Sequence, residues 1–533
     1  MTGNYLSTTT AGNLETKMTG PRLPMELNHL IIETVALLPQ NKPALRALSL
    51  VSHSFSAHAQ KQLFRVVDLG DRALSGPLYY RKFYRFMKVE GEKDDGRLRG
   101  YIKEFKVVDT YAGWDPLLPT TSSTTKGWEW LVREESICDL LDWLSSLESF
   151  SICFNTGTPA WSNFVPCIRR ALIQRLSRGI LQFEMRRVCG FPPALFVNLL
   201  GLVGGGSIHT LILDDVLVRV PQVVQEEGDD ESAHSSLASS LGVISNFLST
   251  NPSAPPATSP LRTLVLRSSV GKATINVIRN ILALYPQPSL RTLRIAMTGI
   301  DEQEAFGMTS EPVGSGSGSA NGHSSNNVTT SAAAIERGNG RDVVLQMWEL
   351  MRWAGDSIKV LEWRSATRPK TRANVPPPPI HLSIFPNLES ITFLVNFHAS
   401  SSVNAKEKGG VFSPLMEVLS QIRTRAWCSS YTGNSSLQNI TIECMFIQPG
   451  ELIAAEADWA TLDAFLCMPP AADDASFPRG GSMRFSNLSS LTFHARIKAS
   501  SPMRSRTRAI LTQQLPELRA RKGVKVDICW DFG

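Results

Sequence analysis

A short apolar word, apolar-x-x-apolar-x-apolar, recurs along this 533-residue chain. Copies stand at Ile102/Phe105/Val107, Leu147/Phe150/Ile152, Ile180/Phe183/Met185, Ile208/Leu211/Leu213 and Leu261/Leu264/Leu266. Further copies stand at Leu290/Leu293/Ile295, Ile358/Leu361/Trp363, Leu388/Ile391/Phe393, Leu437/Ile440/Ile442 and Leu488/Leu491/Phe493. The closing apolar-x-apolar alternation predicts a half-buried strand, and the first apolar residue packs beneath its entrance. Between the words lie stretches with helical spacing: 136–144, 164–176, 193–203, 236–247, 273–285, 342–351, 415–422, 460–466 and 506–518. Strand and helix alternating in this way imply parallel strands joined by helical crossovers, an α/β architecture.

The words resemble the L-x-x-L-x-L core of leucine-rich repeats, most closely in Pro-Leu-Arg-Thr-Leu-Val-Leu (260–266) and Ser-Leu-Arg-Thr-Leu-Arg-Ile (289–295). The asparagine that closes that consensus is mostly absent, and the spacing runs from 28 residues (180 to 208) to 68 (290 to 358). The resemblance implies an irregular solenoid over 67–533, with strands on one face and helices on the other. A closed barrel or an open doubly wound sheet would share much of the pattern. The long gaps read as insertions. The stretch 226–231 is acidic, 251–260 is rich in Pro and Ser, and 368–379 carries four consecutive prolines. The Gly/Ser/Asn-rich stretch at about 309–340 cannot bury enough surface to fold. A closing strand is expected at 524–528 after a helix that begins near 511.

The first 66 residues follow a different pattern. Residues 1–20 are rich in Thr, Gly and Asn and read as a disordered terminus. From 21 to 66 the spacing predicts three short helices. Pro24 and Glu26 suit a first helical turn, Leu27, Leu30, Ile31, Val35 and Leu38 follow helical spacing, and Pro39 ends the helix. Asn41 and Pro43 begin a second helix with Ala44, Leu45, Ala47, Leu48 and Val51 on its apolar face. Ser52 or Ser54 caps a third, which carries Phe55, Ala59 and Leu63. A module this small buries little core alone and needs a neighbour.

Leu23-Pro24-x-Glu26-Leu27 followed by Leu48-Ser49-Leu50-Val51-Ser52-x-Ser54-Phe55 resembles the F-box. His53 and Phe55 depart from that family's usual basic residue and Trp, and Ser52 stands where Cys is frequent. The resemblance covers under a tenth of the chain. It implies a non-enzymatic adaptor that docks the Skp-type adaptor protein of a cullin-based ubiquitin ligase through a helix surface. Leu23, Pro24, Leu27, Ile31, Leu48, Val51 and Phe55 are the residues it implies for that contact, with Leu27 and Leu48 partly in the module's own core. The remainder would hold an unknown target protein. The same helices would also serve as a cap on the repeats. Two other functions stay open: a scaffolding repeat protein outside any ligase, and an enzyme on an open α/β sheet with its site at strand C-termini.

Composition narrows this picture. Apolar residues make up 42% of the chain, enough for a sizeable core, and the net charge of +6 is too diffuse to indicate nucleic acid. The eight cysteines form no C-x-x-C pair, which suits reduced thiols in cytosol or nucleus. No secretory signal is expected, and the most apolar run, 194–203, is too short to span a bilayer. Val270-Gly271-Lys272-Ala273-Thr274 lacks the rest of a phosphate loop, no H-E-x-x-H occurs, and no catalytic residue, metal or cofactor is expected. Gly204–Gly206 suit a helix C-cap. Asp214 and Asp215 are expected to follow a strand end, and the basic cluster near the C-terminus (Arg504 to Lys525) is expected on a solvated helix face.

Overall fold

The computed structural model describes residues 24–38, 41–70, 76–92, 97–109, 129–155, 157–201, 208–218, 259–267, 270–298, 340–366, 382–396, 412–420, 436–445, 456–467, 485, 487–496, 509, 513–521 and 523–531. Three helices open the fold: α1 (Met25–Ala36), α2 (Lys42–Val51) and α3 (His53–Phe64). A strand β1 (Val66–Asp68) follows, then α4 (Gly76–Glu92), α5 (Arg97–Tyr101) and β2 (Glu104–Asp109). Helices α6 (Glu129–Arg133) and α7 (Ser136–Trp143) lead to β3 (Ser149–Phe154), α8 (Pro166–Ser177) to β4 (Gln182–Phe191), and α9 (Pro193–Leu199) to β5 (Thr210–Val218). Beyond β6 (Thr263–Arg267) come α10 (Lys272–Leu282), β7 (Thr292–Thr298), α11 (Gly340–Ala354), β8 (Val360–Ala366) and β9 (Ser390–Asn396). The chain continues through α12 (Ser413–Ser420), β10 (Asn439–Met445), α13 (Glu456–Cys467), β11 (Ser490–Arg496), α14 (Pro516–Ala520) and β12 (Lys525–Asp531).

All twelve strands form one parallel sheet in the order β1 to β12. Each strand therefore pairs with its neighbours in sequence, β1 and β12 are the edges, and the order never reverses as it does in a doubly wound sheet. The cause lies in the apolar words. Every apolar side chain of the ten copies is buried, and the middle apolar residue of each copy pairs in register with the next. Thus Phe105 lies beside Phe150, Phe150 beside Phe183, Phe183 beside Leu211, and so on to Leu491 beside Val526. Rings at 6.2 Å centroid spacing stack Phe105 on Phe150 and Phe150 on Phe183. A slip of one residue would turn this row to solvent, so burial fixes the register.

Hydroxyls and carbonyls tie the strand entrances together. The carbonyl of Lys103 accepts from Glu148 N–H (2.8 Å) and Ser149 N–H (2.9 Å), and the carbonyl of Glu148 accepts from Leu181 and Gln182 in the same way. Ser357 Oγ donates to the Leu290 carbonyl (2.8 Å) and Ser436 Oγ to that of Leu388 (2.7 Å). At the far edge the buried Asp463 carboxylate accepts from Glu517 N–H and Leu518 N–H at 2.9 Å each, closing α14 onto α13. Asp463→Ala leaves two helix-terminal donors without that partner. We expect it to cost about 1–2 kcal/mol, with faster amide exchange over 516–531 as the readout and partial recovery in Asp463→Asn.

Several elements differ from the sequence expectation. The helix α4, with β1, α5 and α6, carries no copy of the word and was not anticipated. Glycine ends α9 at Gly201 (φ 80°); Gly204–Gly206, and the helix expected at 236–247, lie outside the described residues. Near the C-terminus Ala509 and Gln513 are helical and the five-residue α14 follows Leu515, while residues 510–512 of the helix expected from 511 lie outside the described residues. Asp214 and Asp215 sit inside β5, because that strand runs on to Val218. Asp214 is buried and pairs with Arg186 at 3.0 Å, and Asp215 adopts a left-handed φ of 56° beside Arg187 at 55° on β4. The insertions expected at 226–231 and about 309–340, and residues 1–20, also lie outside the described residues, apart from Gly340.

A candidate docking face on the N-terminal helices

Helices α1, α2 and α3 enclose a small core of Ile32, Leu45 and Ala59, with Val35, Ala36, Leu48, Phe55 and Leu63 packed around it. This core is separate from the main one under the sheet. Local chemistry sets the module's corners. Pro24 precedes α1 in extended conformation, and its carbonyl accepts from Leu27 N–H (3.1 Å) and Asn28 N–H (3.2 Å). Ser52, also extended, separates α2 from α3 and caps α3 by accepting from Phe55 N–H at 3.4 Å.

Much of the module's apolar surface faces outward. Of the fifteen large apolar side chains exposed among the described residues, eight lie between Met25 and Val51. They are Met25, Leu27 (45% exposed), Leu30, Ile31 (39%), Leu37, Leu38, Leu50 (86%) and Val51 (67%). A concentration of this kind marks an interaction surface more than a scatter of single residues does. Of the residues singled out from sequence, Pro24, Leu27, Ile31 and Val51 stand exposed. Leu48 and Phe55 instead pack against the module's core, and Leu23 lies outside the described residues. Leu27, for which sequence allowed a partly internal role, is on the open side. Helix α1 has two apolar stripes: Ile32 and Val35 turn inward with Asn28, while Leu27, Leu30 and Ile31 turn outward, as does Leu38 just beyond the helix. Periodicity alone does not say which stripe is core. The exposed Met25, Leu30, Leu37, Leu38 and Leu50 went unassigned to a partner for that reason. The signal that would have found them is their number, which exceeds what three short helices can bury.

A pair of stacked histidines joins α1 to α3. The rings of His29 and His58 lie 4.2 Å apart and 15° from parallel, and Glu33 stands 3.8 Å from His58 Nε2. Burial, then the neighbouring His29, lowers the His58 pKa from its ordinary value, with Lys61 acting the same way and Glu33 opposing them. A histidine held neutral in the fold binds more protons when unfolded, so it favours folding above its unfolded pKa and that contribution fades as pH falls. The module is therefore expected to be less stable at about pH 5 than at about pH 7. His58→Gln should flatten that dependence in circular-dichroism melts; an unchanged slope would contradict it.

Elsewhere the exposed side of the sheet carries paired charges. Arg294 meets Glu362 at 3.1 Å, and Arg364 meets both Glu362 (3.8 Å) and Glu443. Among the described residues no group of three or more His, Cys, Asp or Glu side chains gathers as a metal site would, and no helix is long and apolar enough to cross a membrane. Of the basic cluster near the C-terminus, Lys525 pairs with Asp527 at 2.8 Å, while Arg504, Arg506, Arg508 and Lys522 lie outside the described residues. No protein-family model matches the chain, and no curated protein matches it.

Proposed function

We propose that the chain is a substrate-recognition adaptor of a Skp–cullin–F-box ubiquitin ligase. The helical module α1–α3 docks the Skp-type adaptor, and the sheet-bearing remainder, a leucine-rich-repeat-like solenoid, holds a target protein. The mechanism is proximity: the target's lysines gain a high effective concentration near a conjugating enzyme recruited elsewhere, and this chain performs no covalent step. The observation that carries the reading is the cluster of exposed apolar residues on α1 and at the end of α2, on the residues whose order resembles the F-box. An apolar helix face of this kind fits a complementary groove on a helical partner. The strictly sequential strand order agrees with a solenoid that offers an extended surface to a large ligand.

A pull-down of the full chain with a purified Skp-type adaptor tests the proposal. Saturable capture by the wild-type chain, lost in Leu27→Asp/Ile31→Asp with an unchanged circular-dichroism spectrum, supports it. No capture by the folded wild-type chain sinks it and leaves a scaffolding protein whose helices cap the sheet.

A further inference from the structure

A groove of about 580 Å³ runs along the strand entrances from His209 to Ser436. It crosses the starts of six consecutive strands, β5 to β10. At roughly 4.8 Å per strand it is on the order of 24 Å long. The residue just before each strand occupies one rung of a ladder of backbone hydrogen bonds. Arg262 N–H donates to the His209 carbonyl, Arg291 N–H to that of Arg262, Lys359 N–H to that of Arg291 and Glu389 N–H to that of Lys359, all at 2.8–2.9 Å. Four successive rungs are thus His209, Arg262, Arg291 and Lys359.

The charges are distributed unevenly. Lys359 Nζ pairs with Glu389 at 2.6 Å, and Asp356 lines the groove as well. Arg262 and Arg291 are exposed and have no ion-pair partner among the described residues. Two like charges on adjacent strands destabilise a sheet, so nothing in the fold itself calls for this pair. Three of the groove's four serines are already engaged as donors, and the fourth, Ser259, is buried and accepts from Leu261 N–H. Ser289 Oγ donates to the Leu261 carbonyl at 2.9 Å, and Ser357 and Ser436 donate to carbonyls likewise. The charged donors without an ion-pair partner that face a ligand are the two guanidinium groups, with His209 beside them. Among the described residues no Phe, Tyr or Trp lines the groove, which leaves the single imidazole of His209 for a base to stack on, a poor platform for a nucleic acid.

We infer that this groove binds an extended acidic peptide, with its carboxylates on Arg262 and Arg291 and its chain running past His209 or toward the Lys359–Glu389 pair. Guanidinium forks bind carboxylates through paired, charge-assisted hydrogen bonds. The length of the groove suits about seven extended residues at roughly 3.3 Å each. The inference deepens the proposed function by giving the target's chemistry and rests on that reading. It is tested without the ligase adaptor, so failure of one does not decide the other.

The probe is a fluorescein-labelled hexaglutamate peptide, titrated with the full chain by fluorescence anisotropy, with hexalysine and a single-stranded oligonucleotide of six thymidines as comparisons. The expected result is saturable binding of hexaglutamate that weakens with added salt and falls at least about tenfold in R262E/R291E. The variant R262Q/R291Q should also lose binding while melting at the wild-type temperature or above, because it removes the like-charge pair. Three results would overturn the inference: no saturable binding by the folded wild-type chain, equal binding by the folded R262Q/R291Q variant, or tighter binding of the oligonucleotide that the same variant abolishes.

Discussion

Replacing Phe150 with alanine lowers the stability of the folded chain by about 3–5 kcal/mol. The ring is completely buried on β3 and lies between the rings of Phe105 and Phe183. Its removal loses the transfer free energy of a large apolar side chain, opens a cavity in a parallel sheet whose neighbours are held by in-register pairing, and breaks two ring contacts at once. Phe150→Leu keeps most of the volume and should cost well under half as much. Urea unfolding followed by both near- and far-ultraviolet circular dichroism reads the effect as a lower midpoint. A loss below about 1 kcal/mol for Phe150→Ala would contradict the burial of this row.

The second large effect concerns binding and not folding. Leu50→Asp/Val51→Asp should weaken binding of a Skp-type adaptor by about 100-fold or more, because each change sets a charge on an apolar face that the partner must desolvate. Leu50 is 86% exposed and Val51 67%, so the unbound chain should change in stability by no more than about 0.5 kcal/mol. Phe55→Ala would behave in the opposite way. Its side chain packs against the module's small core, and its loss would loosen the module before it touched any partner. Comparing the two variants separates a contact residue from a supporting one.

The sheet was largely legible in the sequence because period-two burial leaves a repeating mark. Every copy of the apolar word became a strand whose apolar residues are buried, and the tightest words, around Leu264 and Leu293, pair in register. Other elements carried no such mark. Strand β1 is three residues long and is defined by its pairing with β2. Helix α4 mixes Tyr80, Phe83 and Met87 on its inner side with Leu78, Phe86 and Val89 outside, and that blurs its apolar stripe. The candidate face was half legible. Sequence order pointed to Pro24, Leu27, Ile31 and Val51, but the inward turn of Leu48 and Phe55 depends on how three helices cross. The Arg262–Arg291 pair was invisible, since those arginines are 29 positions apart and meet only through the strand register.

Calorimetric titration of the full chain with a purified Skp-type adaptor tests the central claim most directly. The account predicts a one-to-one complex with a negative heat-capacity change, the mark of apolar surface leaving water, and loss of the heat signal in Leu50→Asp/Val51→Asp at an unchanged melting temperature. The absence of binding by the folded wild-type chain, or equal binding by that variant, would contradict it.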